Sequence, residues 1–174
     1  GLWIAAQGLD NSPVKRYGER DPVKSVGNGM TYPHDLVGRE ACITGLAPLC
    51  ERVGARLRAQ GLKCGTLTLQ IKDPRLKVIS RQKPMEPPTN LTRSLLKGAI
   101  SLLETSWPSE APVRLFTVTA GNLMPEDAPV PTQLSFLDAP PVEDPRQRQL
   151  EKTADLLRQK FGAKALKTGR TLNE

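Results

Sequence analysis

The sequence predicts an α+β fold: a four-stranded β-sheet in β-α-β-β-α-β order with two helices on one face, followed by an extended tail that ends in a helix. Three features predict it. Two stretches, within residues 37–60 and after Pro87-Pro88, repeat apolar side chains at helical spacing. Residues 65–72 alternate apolar and polar side chains with the period of two that a half-buried strand requires. Turn residues such as Asp73-Pro74-Arg75 separate the runs.

The elements are justified in order. Residues 1–10 hold a short apolar fragment, Leu2, Trp3 and Ala6 at helical spacing with Gly8 able to end it, and read as the tail of an upstream helix. Residues 11–23 carry Asn11, Pro13, Gly18 and Pro22 among charges, a linker composition. Residues 24–32 read as a strand weakened by two glycines, which in a strand often mark close approach of a ligand or a second backbone. The first helix lies within Val37–Gln60, with Cys42, Leu46, Leu49, Val53 and Leu57 as its buried stripe and Gly61 as its C-terminal cap. Pro48 falls inside it and is expected to kink the helix or delay its regular start, because proline lacks the N–H.

Leu67, Leu69 and Ile71 face one side of the next strand, and Thr66, Thr68, Gln70 and Lys72 the other. Leu76–Lys83 returns as a strand on which Lys77, Arg81 and Lys83 share a face. Leu91, Leu95, Ala99 and Leu102 form the stripe of the second helix, and residues 112–120 the last strand, with Phe116, Val118 and Ala120 inward and Thr117 and Thr119 opposite. Residues 123–144 are rich in Pro, Asp and Glu and read as an extended tail, interrupted by Gln133-Leu134-Ser135-Phe136-Leu137. Three large apolar residues in a polar tail favour a peptide that docks into a partner's pockets. From Pro145 to the end at 174, Leu150, Ala154, Leu157 and Phe161 line one face of a last helix.

Composition narrows the functions. The chain has a formal net charge of +7, with 14 Lys and Arg against 7 Asp and Glu in residues 24–122 and balanced flanks. Charge confined to one compact unit suggests a face for a polyanion. Two helices on one side of a four-stranded sheet leave the other face open, and that face is expected to carry Ser, Thr, Arg and Lys against phosphates. Aromatics that would stack bases are missing, with an aromatic fraction of 4%. The core must be aliphatic. No apolar run approaches the ~20 residues needed to span a bilayer, and no signal peptide opens the chain. Cys42, Cys50 and Cys64 are odd in number and form no Cys-x-x-Cys pair, which speaks against disulfides and zinc and for a reducing cytosol.

Catalytic signals are weak. The single histidine, His34, lies in Tyr32-Pro33-His34-Asp35, a turn with no partner motif nearby. Gly27 and Gly29 lack the spacing of a dinucleotide site. The acidic residues are scattered, so no metal site or acid/base pair stands out, and no catalytic residue is assigned.

The chain resembles the C-terminal part of Y-family (translesion) DNA polymerases of the DNA polymerase IV type. Leu2-Trp3-x-x-Ala6-x-Gly8-x-Asp10 resembles the end of the thumb, and Lys24-Ser25-Val26-Gly27 the first strand of the little-finger domain. Leu57-Arg58-x-x-Gly61-Leu62-Lys63 resembles the end of that domain's first helix, Ser80-Arg81-x-Lys83 its DNA-contacting strand and Pro112-Val113-Arg114-Leu115 its last strand. Gln133–Leu137 resembles the sliding-clamp-binding motif, and Leu150–Gly162 with Gly169 the usual tail. Each motif alone is weak; their joint order is specific. Two positions depart from the pattern: the clamp motif usually ends Leu-Phe, here Phe136-Leu137, and Pro48 stands where the helix is ordinarily uninterrupted.

The resemblance implies a little-finger DNA-binding domain over 24–122, between the thumb end and a clamp-binding tail. It implies that Lys24, Ser25, Gly27, Asn28 and Thr31, with Ser80, Arg81 and Lys83, contact phosphates of primer–template DNA, and that Gln133, Leu134, Ser135, Phe136 and Leu137 bind the replicative sliding clamp. The parent protein would be a DNA-directed DNA polymerase active in lesion bypass in a bacterial cytoplasm, at the nucleoid. Its magnesium would sit in a palm that these residues do not contain, so the fragment alone, expected to be monomeric, would need no cofactor and show no activity. Two other readings stay open at this point: a polymerase-like accessory protein with a non-catalytic palm, and a general split β-α-β module for nucleic acid or protein.

Overall fold

The computed structural model describes residues 2–9, 11, 13, 14, 16, 18, 22–128, 145–162, 165 and 166. Its elements run α1 (Leu2–Ala6), β1 (Val26–Leu36), α2 (Arg39–Ala59), β2 (Leu62–Lys72), β3 (Val78–Thr89), α3 (Thr92–Ser106), β4 (Val113–Pro125) and α4 (Pro145–Phe161). The four strands form one sheet in the order β1-β4-β2-β3, each neighbouring pair antiparallel. The α+β class and the β-α-β-β-α-β order expected from the sequence are therefore the observed ones.

The alternation in β2 and β4 decides which face is covered. Leu67, Leu69 and Ile71 of β2 and Val113, Phe116, Val118 and Ala120 of β4 meet Leu46, Leu49, Val53 and Leu57 of α2 and Leu95 and Ala99 of α3 in one core. Each Leu, Ile, Val or Phe among them, fully buried, contributes about 1.5–3 kcal/mol relative to exposure. Tyr32 is the aromatic exception on β1: its ring meets Phe116 edge-on at 6.1 Å, and its hydroxyl donates to the Gly45 carbonyl at 2.8 Å. Burial raises the Tyr32 pKa above the ordinary phenol value. Burial likewise pushes the Cys50 thiol up to about 12 and Cys64 up to about 11, and raises Cys42. All three cysteines are free and buried.

Several local expectations change. Pro48 does not delay α2: the helix starts at Arg39 and runs through it to Ala59. His34 lies in the outer half of β1, exposed, rather than in a turn, because β1 extends to Leu36. Residues 123–125, assigned by composition to the tail, continue β4, where Leu123, Met124 and Pro125 pair with Cys64, Lys63 and Leu62. β3 starts two residues later than expected and reaches Thr89 through Pro84, Pro87 and Pro88. Proline is tolerated there because β3 is an outer strand with one side unpaired.

The last helix docks on the domain by an unexpected face. Leu150 and Phe161 of its apolar stripe are 66% and 64% exposed, with Leu157 also exposed. What meets the domain instead is the polar side, where Glu151, Asp155 and Arg158 engage Arg58 and Glu51 of α2. No helix among the described residues is long and apolar enough to cross a membrane.

Candidate nucleic-acid interface

Register fixes which residues share the helix-free face of the sheet. Directly opposed residues of antiparallel strands point their side chains to the same side. The pairings Gly27–Thr119–Thr68–Gln82, Gly29–Thr117–Gln70–Ser80 and Thr31–Leu115–Lys72–Val78 form three rows across all four strands, and Gly121–Thr66–Pro84 adds a fourth over the inner and outer three. None of these belongs to the core. The face is a low surface mostly of glycines, hydroxyls and amides, with Leu115, Val78 and Pro84 its apolar members and Lys72 the one cation among the paired positions.

The glycines of β1 make that relief low. A Cβ on Gly27 would stand 2.9 Å from the Thr119 hydroxyl, and one on Gly29 only 2.6 Å from that of Thr117. The threonine side chains of β4 therefore lean over the glycine positions of β1, filling the space a side chain would need. From the covered side, Arg56 of α2 donates to the Gly27 carbonyl at 2.9 Å and so steadies this outer strand.

The sequence-predicted phosphate contacts divide between two sides. Gly27, Thr31 and Ser80 lie in the rows of the open face. Lys24 and Ser25 are exposed just ahead of β1. Asn28, Arg81 and Lys83 do not share that face: they are opposed to Val118, Leu69 and Leu67, whose side chains are in the core. The expectation of a cation-studded open surface is corrected on this point. α3 does not extend over the whole of the outer strand, so polar residues are tolerated on its covered side as well. Arg81 remains exposed, its guanidinium on the Ser80 carbonyl at 2.9 Å, whereas Lys83 is half-buried with its ammonium 3.3 Å from the Ser101 hydroxyl of α3. The Asn28 amide nitrogen is buried with no protein partner.

Apart from Lys72 in its end row, the cations thus stand around the margins of the face: Lys24 before β1, Arg75 and Lys77 in the turn between β2 and β3, and Arg81 on the outer strand. Asp73 holds that turn by accepting from the Lys77 amide at 2.8 Å. Gly29, Thr117 and Thr119 were not named as site residues by sequence reasoning, although their alternation against Phe116 and Val118 carried the signal. Gln133, Leu134, Ser135, Phe136 and Leu137, with Asp10 and Gly169, lie outside the described residues. Among the described residues no three His, Cys, Asp or Glu side chains come together in a group that could hold a metal ion.

Comparison with known proteins agrees with the resemblance in the sequence. DNA polymerase IV of Acetivibrio thermocellus is 32% identical over 176 residues, covering 99% of this chain and 43% of its own length. DNA polymerase IV 2 of Halalkalibacterium halodurans is 34% identical over 169 residues, covering 95% of this chain and 39% of its own length. The chain thus spans about two fifths of these relatives. Among solved structures, a complex of beta-clamp processivity factor and little finger domain of PolIV aligns over 66% of this chain and 99% of that one, at 16% identity and a TM-score of 0.48. Residues 23–136 match the impB/mucB/samB family C-terminal domain. By that match, which takes in the whole sheet and both helices packed on it, the chain belongs to the impB/mucB/samB family.

Proposed function

We propose that residues 24–122 are the little-finger domain of an error-prone translesion DNA polymerase, which grips primer–template DNA through its phosphates without reading bases. Residues 1–10 would end the thumb, 11–23 link it to the domain, 123–144 carry the clamp-binding peptide and 145–174 close the chain. One observation carries the reading: a helix-free sheet face made of glycines, threonine and serine hydroxyls and glutamine amides, with cations at its margins. Hydroxyls and backbone amides position a sugar-phosphate backbone; no aromatic side chain occupies these rows to stack on a base. The parent protein would act in the bacterial cytoplasm, at the nucleoid, and perform nucleotidyl transfer with residues outside this chain.

Lys24, Ser25, Gly27, Thr31 and Ser80 would meet the backbone directly, and Arg81 would reach it around the outer strand. Asn28 and Lys83, set on the covered side, would support the two strands or act at their edges. With roughly three to five phosphate contacts, Z, the logarithm of the affinity for duplex should fall with the logarithm of salt at a slope of about −0.9Z. Titration of a primer–template duplex at several salt concentrations is the test. Arg81→Ala/Lys83→Ala should weaken binding and flatten the slope by one to two contacts, about 0.9 each; unchanged affinity would remove Arg81 and Lys83 from the interface.

Gln133–Leu137 would tether the protein to a sliding clamp by seating its apolar side chains in pockets of that partner. The wild-type chain should be retained on immobilised clamp, and Gln133→Ala/Leu137→Ala should not. Equal retention of the two would reject the peptide.

A further inference from the structure

We propose that Arg58 and the first turn of α3 form a carboxylate-binding socket whose resident ligand is α4, so that α4 acts as an ionic clasp fastened to the domain.

The socket is built from three elements. Arg58, near the end of α2, has a side chain only 4% exposed, and that of Glu151 is 9% exposed. The Arg58 fork donates to both oxygens of Asp155, Nε at 2.6 Å and Nη2 at 3.1 Å. Its Nη1 donates to the Asn90 carbonyl at 2.7 Å and also to Glu151. The same Glu151 oxygen accepts from the backbone N–H of Thr92 at 2.9 Å. Leu91, at the N-cap of α3, has no polar side chain to accept a bond, and Glu151 supplies the missing acceptor. One carboxylate therefore satisfies a buried guanidinium and a free helix amide together.

The rest of the contact is ionic too. Arg158 pairs with Glu51, while Arg148 and Lys152 stand 3.9 and 3.7 Å from Glu126. Glu126 is itself fixed, because its amide donates to the Gly61 carbonyl at 2.7 Å. Meanwhile Leu150, Leu156, Leu157 and Phe161 remain exposed. An amphipathic helix normally docks by its apolar side; this one is turned the other way and held by charge. Both ends of the intervening chain, Glu126 and α4, are thereby fastened to the same body.

A role for the clasp in clamp binding rests on the clamp reading above; the clasp itself does not. The test is hydrogen–deuterium exchange on the full chain. Arg58→Ala and, separately, Glu151→Gln/Asp155→Asn should speed exchange in peptides spanning 145–161 at least about tenfold, the scale of one charge-assisted hydrogen bond. Exchange in β2 and β4 should not change with Glu151→Gln/Asp155→Asn, which touches no core residue. Leu150→Ala/Phe161→Ala should leave α4 exchange as in wild type. Unchanged α4 exchange in the Glu151→Gln/Asp155→Asn protein, or faster exchange on removing the apolar stripe, would overturn the clasp.

A clamp titration then separates the two ideas. Releasing α4 frees the far end of the chain that carries Gln133–Leu137, which then has more freedom to lose on binding, so Glu151→Gln/Asp155→Asn should lower clamp affinity severalfold. Equal affinity would overturn a role for the clasp in clamp binding. Absence of clamp binding by the wild-type chain would instead sink the clamp reading, with the exchange data still judging the clasp.

Discussion

Gly29 and Thr117 face each other across β1 and β4 so closely that a Cβ on the glycine would stand 2.6 Å from the threonine hydroxyl and 3.2 Å from the Phe116 carbonyl. The hydroxyl can turn away by rotation about χ1, but the carbonyl is backbone and cannot. Gly29→Ala should therefore cost about 1–2 kcal/mol of overpacking, more than the ~0.5–1 kcal/mol an alanine gains over glycine in a strand. A urea midpoint below wild type with unchanged m-value is the expected result.

Hydroxyls and charge on the open face make separable predictions. Thr117→Val/Thr119→Val keeps the β-branched shape that suits a strand while removing both hydroxyls. Duplex affinity should fall alike for all sequences, with the salt slope retained. Lys72→Ala should instead reduce the slope by about 0.9, one phosphate contact. Fluorescence anisotropy over a salt series distinguishes them.

Tyr32 ties the outer strand β1 to α2 through its hydroxyl on the Gly45 carbonyl. Tyr32→Phe keeps the ring against Phe116 and removes only that bond, so thermal unfolding should report a loss of about 1 kcal/mol. A loss near zero would mean that the carbonyl is satisfied without the hydroxyl.

The buried thiols set an alkaline limit on stability. Desolvation disfavours their charged form, so Cys50 is pushed up to about 12 and Cys64 up to about 11, from an ordinary 9.0. A group whose pKa is raised on folding contributes stability that is complete below its unfolded value and lost as pH rises through the folded one. Stability should hold below pH 9 and decline between about 9 and 12, with alkylation of the native thiols negligible at neutral pH. Cys50→Ala/Cys64→Ala should flatten that decline.

Much of the fold was legible because burial and periodicity coincide. Leu67, Leu69 and Ile71 alternate with Thr66, Thr68 and Gln70, and the structure buries the first set under α2 and α3. The β-α-β-β-α-β succession of elements and the placing of α2 within residues 37–60 and of α3 after Pro88 followed from similar stripes. Face assignment in β3 did not, for a physical reason: an incompletely covered outer strand has polar residues on both sides, so alternation within it carries no sign. Only its register against β2, with Arg81 opposite Leu69 and Lys83 opposite Leu67, reveals the side. The α4 contact was hidden differently. Its apolar stripe suggested one docking face, while the partners of Glu151 and Asp155 lie some ninety residues away at Arg58 and leave no local pattern.

The prolines of the two outer strands have a consequence beyond local geometry. Pro33 on β1, and Pro84, Pro87 and Pro88 on β3, withhold amide hydrogens along both rims of the sheet. An incoming strand from a neighbouring molecule would meet a ladder with missing rungs, which disfavours edge-to-edge association. A protein with one bare sheet face can in this way leave that face uncovered while its margins discourage pairing with other sheets.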